Sequence, residues 1–246
     1  MGVDPVEEFK QRNAEYIARM SGDAELAALS SAWFNRVLKY EYAYHFTWMG
    51  RPIIQFPQDI LVLQEIIWEV KPDLIIETGI AHGGSIIFSA SMLELIGGDG
   101  EVLGIDTDIR KYNRLAIETH PMYKRVQMIE GSSTDATVLQ QVRTIADGKN
   151  SVMVILDSNR THAHVFAELQ AFAPLVSTGS YLTVLCTCIE SLADDVFPDK
   201  PWGKGNNPGS AVDEFLAQNG NFAADLTRTD KLLITVSPNG YLRRIA

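Results

Sequence analysis

Six short runs of nearly unbroken apolar residues punctuate this chain: DLIIETG (73–79), EVLGIDTD (101–108), VQMIEGSS (126–133), VMVILDS (152–158), YLTVLCT (181–187) and LLITVSP (232–238), before a closing GYLRRIA. Most are separated by stretches with helical apolar spacing. A strand that is apolar on both sides must be covered on both sides, so the alternation predicts an α/β fold with a doubly wound, mostly parallel sheet. Only PNG separates the last two runs, a hairpin signal that predicts an antiparallel final strand. Ahead of the sheet, 5–20 and 23–39 have amphipathic helical spacing, and 58–70 gives a third helix closed by Pro72. The aromatic stretch KYEYAYHFTWMGRPIIQFP (39–57) cannot be one helix, because Pro52 and Pro57 interrupt it. The chain therefore divides into an N-terminal helical and aromatic extension, 1–57, and an α/β domain, 58–246.

The 246 residues carry a net charge of −10. Such a balance argues against a nucleic-acid or anionic-membrane surface, which would need a basic patch. No stretch reaches the roughly 18 apolar residues of a membrane span. The acidic start MGVDPVEEFKQRN does not read as a secretory signal, and Val6 stands where a myristoylation motif needs Ser or Thr. Cys186 and Cys188 are too close to staple the fold, which fits a reducing, cytoplasmic compartment.

The richest segment is IIETGIAHGGSIIFSA, where a strand runs through Glu77 into Gly79, Gly83 and Gly84, and Ser85 opens a helix. Glycines let the backbone approach a ligand, and a helix N-terminus offers free N–H groups. The spacing matches neither G-x-G-x-x-G nor a phosphate-binding loop. The next strand ends at Asp106 and Asp108, acids placed to accept two ribose hydroxyls. The third ends in Ser132, Ser133 and Asp135, which could meet an adenine edge.

Taken together, E-T-G-x-x-x-G-G-S, GIDTDIR, EGSSTD, VILDSN-x-TH-x-HV, APLVSTGSYL, PWGKGNNP-x-x-AV and SPNGYLRR resemble the cephalosporin hydroxylase family over about residues 45 to 245. That family is built on the S-adenosylmethionine-dependent, Rossmann-like class I methyltransferase fold and includes rhamnosyl O-methyltransferases. The resemblance implies that Glu77, Gly79, Gly83 and Ser85, with Gly84, cradle the methionine end of the methyl donor. It implies that Asp106 holds the ribose, and that Ser132 and Ser133 lie near the adenine. In metal-using members an acid at the position of Asp157 and another one strand over bind Mg²⁺. Here Cys186 stands at that second position, Leu185 at a neighbouring acid, and Arg160 where a histidine is often found.

The expected activity is S-adenosylmethionine-dependent O-methyl transfer to a hydroxyl of a sugar or specialised metabolite, with a divalent metal left open. Thiolates suit Mg²⁺ poorly, and C-x-C does not match a zinc knuckle. His162, five residues past Asp157, is the first choice for general base, and His164 the second; Asp157 would orient the base or the acceptor, and Arg160 the acceptor. The aromatic stretch and DKPWGKGNNPGSA (199–211) would shape the acceptor pocket, and the former makes a homo-oligomer plausible. The alternatives are a donor-binding protein with altered or lost transfer chemistry and, less favoured, a metal-dependent hydroxylase.

Overall fold

The computed structural model describes residues 4–193 and 196–246; residues 1–3, the start of the myristoylation-like motif, lie outside it. Helices α1 (Pro5–Ser21) and α2 (Ala24–Leu38) come first, and a small hairpin of β1 (Thr47–Trp48) and β2 (Arg51–Pro52) follows. Then come α3 (Pro57–Val70), β3 (Leu74–Thr78), α4 (Gly84–Ile96), β4 (Glu101–Asp106), α5 (Lys111–Glu118), β5 (Val126–Glu130) and α6 (Ala136–Ala146). The chain continues through β6 (Val152–Leu156), α7 (His162–Phe172), β7 (Tyr181–Val184), α8 (Pro208–Gln218), β8 (Phe222–Ala224), α9 (Leu226–Leu232) and β9 (Tyr241–Arg244).

Seven strands form one sheet in the order β5-β4-β3-β6-β7-β9-β8. Strands β3 to β7 pair in parallel, and β9 runs antiparallel to both β7 and β8. Alternate residues of each strand feed opposite cores. Ile75, Met153 and Ile155 join α3 and α4 on one face, while Leu74, Ile76, Val154 and Leu156 join α6, α7 and α8 on the other. Both faces are covered, as the uniformly apolar strands require. Chain order reverses between β3 and β6, and an open parallel sheet binds its ligands outside the strand carboxyl ends at such a point. The β1–β2 hairpin closes over α4, where Trp48 Nε1 donates to Ser91 Oγ at 2.9 Å and its ring meets Phe88 edge-on at 5.0 Å. No helix among the described residues is long and apolar enough to cross a membrane.

The run 232–238 is not a strand, against the sequence expectation. Asp225 caps α9 by accepting from Thr227 N, the helix runs to Leu232, and Leu233 turns with a φ of +60°. Beyond it, one buried carboxylate gathers polar groups of residues 235, 236 and 241. Asp59 on α3 accepts from Thr235 Oγ1, from Val236 N at 3.1 Å and from Tyr241 OH at 2.7 Å. An apolar run of this length reads alike as strand or buried loop, and the side-chain acceptor decided it. The edge strand is instead Phe222–Ala224, and PNG forms a turn, Gly240 N donating to Ser237 O at 2.9 Å, that leads directly into β9.

Burial pushes the Asp59 carboxyl above its usual range, against the three hydrogen bonds that lower it. Replacing it leaves three buried donors without an acceptor. Asp59→Ala should cost about 3 kcal/mol or more in urea unfolding; a change within about 0.5 kcal/mol, the usual scale of a surface substitution, would show that the carboxylate does not hold this loop.

Candidate active site

The turn between β3 and α4 has little room of its own. A Cβ on Gly79, whose φ is +92°, would lie 2.2 Å from the Asp157 carbonyl oxygen, and one on Gly84 would lie 2.1 Å from the Pro52 carbonyl oxygen. Only glycine allows both the backbone angle at 79 and these approaches. The turn is then fastened from three sides. Asp106 Oδ2 accepts from Ile80 N at 2.8 Å and Ala81 N at 3.1 Å. Asn113 Nδ2 donates to Ala81 O at 2.8 Å, and Arg51 Nε donates to His82 O at 3.0 Å. The loop is pre-organised, with the start of α4 aimed into the space above the sheet.

That space is a cleft of about 410 Å³ over the carboxyl ends of β3 to β6. Gly79, Gly84, Ser85, Asp106, Ser133, Asp157 and Arg160 all line it. These residues the sequence placed together, and the structure brings them together. Asp108 is exposed and faces Arg110 at 3.7 Å, outside the cleft wall. Gly83 lies beneath the turn with a Cβ position blocked by Ile117. Ser132 bonds its neighbour Thr134 at 3.1 Å, and Asp135 caps α6 through Thr137 N and Val138 N.

The cleft's size and its glycine cradle suit S-adenosylmethionine, since ligand pockets run from about 300 to 1,000 Å³. Asp106 Oδ1 also accepts from Asp108 N at 3.1 Å. A carboxylate has about four acceptor sites, so these three hydrogen bonds leave Asp106 one to spare. Glu77 sits under the turn, 1% exposed, accepting from Ser85 Oγ while Oε2 has no partner. Burial, with the charge of Asp157 adding to it and the Ser85 hydrogen bond opposing it, pushes its pKa up to about 8.

His162 is not in the cleft wall. It opens α7, and α8 takes both ring nitrogens: Nδ1 lies 2.9 Å from Ser210 Oγ and Nε2 2.8 Å from Glu214 Oε2. His164 does line the cleft, its Nε2 3.2 Å from Ser133 Oγ and 3.3 Å from Ser158 Oγ. Gln55 and Tyr44, not singled out individually from sequence, reach in from the N-terminal segment; Gln55 Nε2 is 3.5 Å from Asp157 Oδ2. Burial raises the Asp157 carboxyl to about 6, offset in part by the Arg160 guanidinium.

Glu77 yields a stability test. Its folded pKa, about 8, lies above the ordinary value of 4.5. Between those values the folded chain holds a proton that the unfolded chain has released, so stability falls as pH rises through the window. Glu77→Gln removes that slope. The variant should match the wild type near pH 5 and exceed it at pH 8 by on the order of a few kcal/mol. Parallel pH profiles in urea melts would mean that Glu77 is ionised in the folded chain.

The sequence matches the family model described as rhamnosyl O-methyltransferase/CmcI over residues 40–245. A rhamnosyl O-methyltransferase of Mycobacterium bovis (strain BCG / Pasteur 1173P2) is 31% identical over 203 residues, covering 80% of this chain and 78% of that protein. Its Mycobacterium leprae (strain TN) counterpart is 30% identical over 200 residues, covering 80% and 82%. An apo structure of CmcI superposes with a TM-score of 0.58 at 19% identity, covering 82% of this chain and 77% of its own. An O-methyltransferase from Bacillus cereus, solved with SAH, gives a TM-score of 0.52 at 16% identity, covering 85% and 86%. The two structures show a shared fold; the family model and the two relatives show that the chain belongs to the rhamnosyl O-methyltransferase/CmcI family.

Proposed function

We propose that the protein transfers the methyl group of S-adenosylmethionine to a hydroxyl of a sugar or specialised metabolite. The observation that carries this reading is a single cleft in which a fastened glycine turn faces a half-buried carboxylate, Asp157. The names of the relatives supply the sugar. When bound, the donor supplies a methyl group already activated on a sulfonium. Gly79 and Gly84 give its methionine end room, Asp106 holds a ribose hydroxyl, and Ser133 stands at the adenine corner. Asp157 accepts the proton of the acceptor hydroxyl as that oxygen bonds the methyl carbon and the C–S electron pair returns to sulfur. Alignment of the two reactants supplies most of the acceleration, which suits a rigid turn and a strand-end acid.

A second reading, a donor-binding protein with altered or lost transfer chemistry, draws support from Arg160 and Cys186 standing at Asp157. It predicts donor binding with no hydroxyl-dependent release of S-adenosylhomocysteine.

Calorimetry with S-adenosylmethionine tests the donor site. Asp106→Ala should weaken binding about tenfold or more, because two turn N–H groups lose a charged acceptor; unchanged affinity would remove the assignment. Methyl transfer to a panel of glycosides tests the rest. Turnover should climb with pH through about 6 as Asp157 loses its proton. Asp157→Asn should bind donor as the wild type does while turning over at least about a hundredfold more slowly. A flat pH profile with an active Asp157→Asn enzyme would move proton acceptance elsewhere, His164 being the next group in the cleft.

We also propose that the chain acts as a homo-oligomer in the cytoplasm, where its two cysteines stay free thiols. Helix α1 buries none of its own residues and exposes Val6, Phe9 and Tyr16; Leu61 and Trp68 on α3 are exposed too. Helix α1 rests on α9 and α2 yet leaves these apolar side chains open, so a second copy is the natural cover. Light scattering should give a dimer or larger, and deleting residues 1–22 should weaken it; a monomer at micromolar concentration would end the proposal.

A further inference from the structure

The surroundings of Asp157 differ from those of a metal-binding acid. Oδ1 lies 3.7 Å from Arg160 NH2 and 3.9 Å from Cys186 Sγ, and Oδ2 lies 3.5 Å from Gln55 Nε2. The carboxylate thus faces a guanidinium, a thiol and an amide. Mg²⁺ asks for hard oxygen ligands in an octahedron and is held by carboxylates. Among the described residues no group of three His, Cys, Asp or Glu side chains is placed to hold a metal ion. Leu185, at one position where the family resemblance implies an acid, is 3% exposed and packed in the core. Cys186 next to it supplies a soft sulfur where Mg²⁺ asks for a hard oxygen. The residues present do not fit Mg²⁺, the ion with which CmcI has been solved alongside S-adenosylmethionine.

What stands there instead is a fixed positive charge. Arg160 is held from behind, its Cζ 5.6 Å over the Trp202 ring, so the segment 199–211 backs the guanidinium as well as bordering the site. Its side chain keeps 30% exposure, and it lines the cleft. Guanidinium donors form a planar fork with more directional reach than a point charge, and their charge persists at any working pH. A dication brought to Asp157 would meet that charge a few ångströms away.

We propose that Arg160 is the resident cation of this site: its guanidinium takes the place of a divalent ion beside Asp157, donates to the acceptor oxygen, and excludes the ion. The proposal rests on the methyl-transfer reading of the cleft for its acceptor, but not for its metal exclusion.

Mn²⁺, whose free-ion paramagnetic signal falls on binding, is the probe for a hard divalent ion. The full-length wild type should leave that signal unchanged and bind S-adenosylmethionine with the same affinity, within twofold, in EDTA and in Mg²⁺. The double variant Arg160→Ala/Cys186→Asp, which removes the charge and adds a second carboxylate, should bind Mn²⁺ at least tenfold more tightly than the wild type. Arg160→Gln, a smaller change, should move in the same direction. Wild-type uptake of Mn²⁺ that Asp157→Asn abolishes would overturn the proposal. So would variants that still bind the donor as the wild type does, and are therefore folded, yet gain no Mn²⁺ affinity. Failure of the wild type to bind the donor in either buffer would instead sink the methyl-transfer reading, leaving metal exclusion to be judged on the Mn²⁺ results.

Discussion

The hydrogen bonds from Ile80 N and Ala81 N to Asp106 Oδ2 hold together what the rest of the site needs. A backbone that leaves a buried parallel strand and turns at once into a helix cannot satisfy its N–H groups within either element. The carboxylate at the end of the adjacent strand does so, because β3 and β4 pair in a register that sets Thr78 against Ile105 and brings Asp106 level with the turn. Beside these bonds Gly79 meets the Asp157 backbone, so the turn sits in close approach to the end of β6. Sheet register, turn shape and cleft width are one constraint rather than three.

Much of this was legible in the sequence for a definite reason. Strands buried on both faces must be apolar throughout, so β3, β4, β6 and β7 could be read directly, and the glycine after β3 with the acids at the ends of β4 and β6 marks the ligand side. The run 232–238 passed the same test and is not a strand, because its decisive partner, Asp59, lies 177 residues before Val236 in a segment read only as an amphipathic helix. Likewise His162 has the right distance from Asp157 along the chain, but Ser210 and Glu214 of α8 turn it away. Gln55 reaches Asp157 from a separate segment, and no local pattern marks it. Sequence spacing located the groups that strands deliver; it failed for groups whose position depends on a side chain far along the chain.

The site also concentrates acids in a chain already short of positive charge. Glu77 and Asp157 end neighbouring strands β3 and β6, and each is raised by burial, with Asp157 adding to the rise at Glu77. Glu168, fully buried behind them, accepts from Ser158 Oγ at 2.7 Å and raises Asp157 further. Three carboxyl groups at one sheet end cannot all be ionised in a low-dielectric setting without compensation. Proton retention at Glu77 relieves part of the strain, and the Arg160 guanidinium relieves part at Asp157.

Such compensation explains why a side-chain cation can be compatible with the same fold that uses a metal elsewhere in the family. A divalent ion brings two charges and tolerates two carboxylate ligands; a guanidinium brings one and leaves room for one. With a core leucine and a cysteine where the family resemblance implies acids, Asp157 is matched by a single Arg160. Trp202 then matters as backing, because a guanidinium orients an oxygen best when its position is restrained, and the indole face 5.6 Å from its Cζ restrains it. The arginine at 160 and the cysteine at 186 are therefore read best together, as the means by which this site supplies positive charge, with Trp202 of the lip packed against the guanidinium.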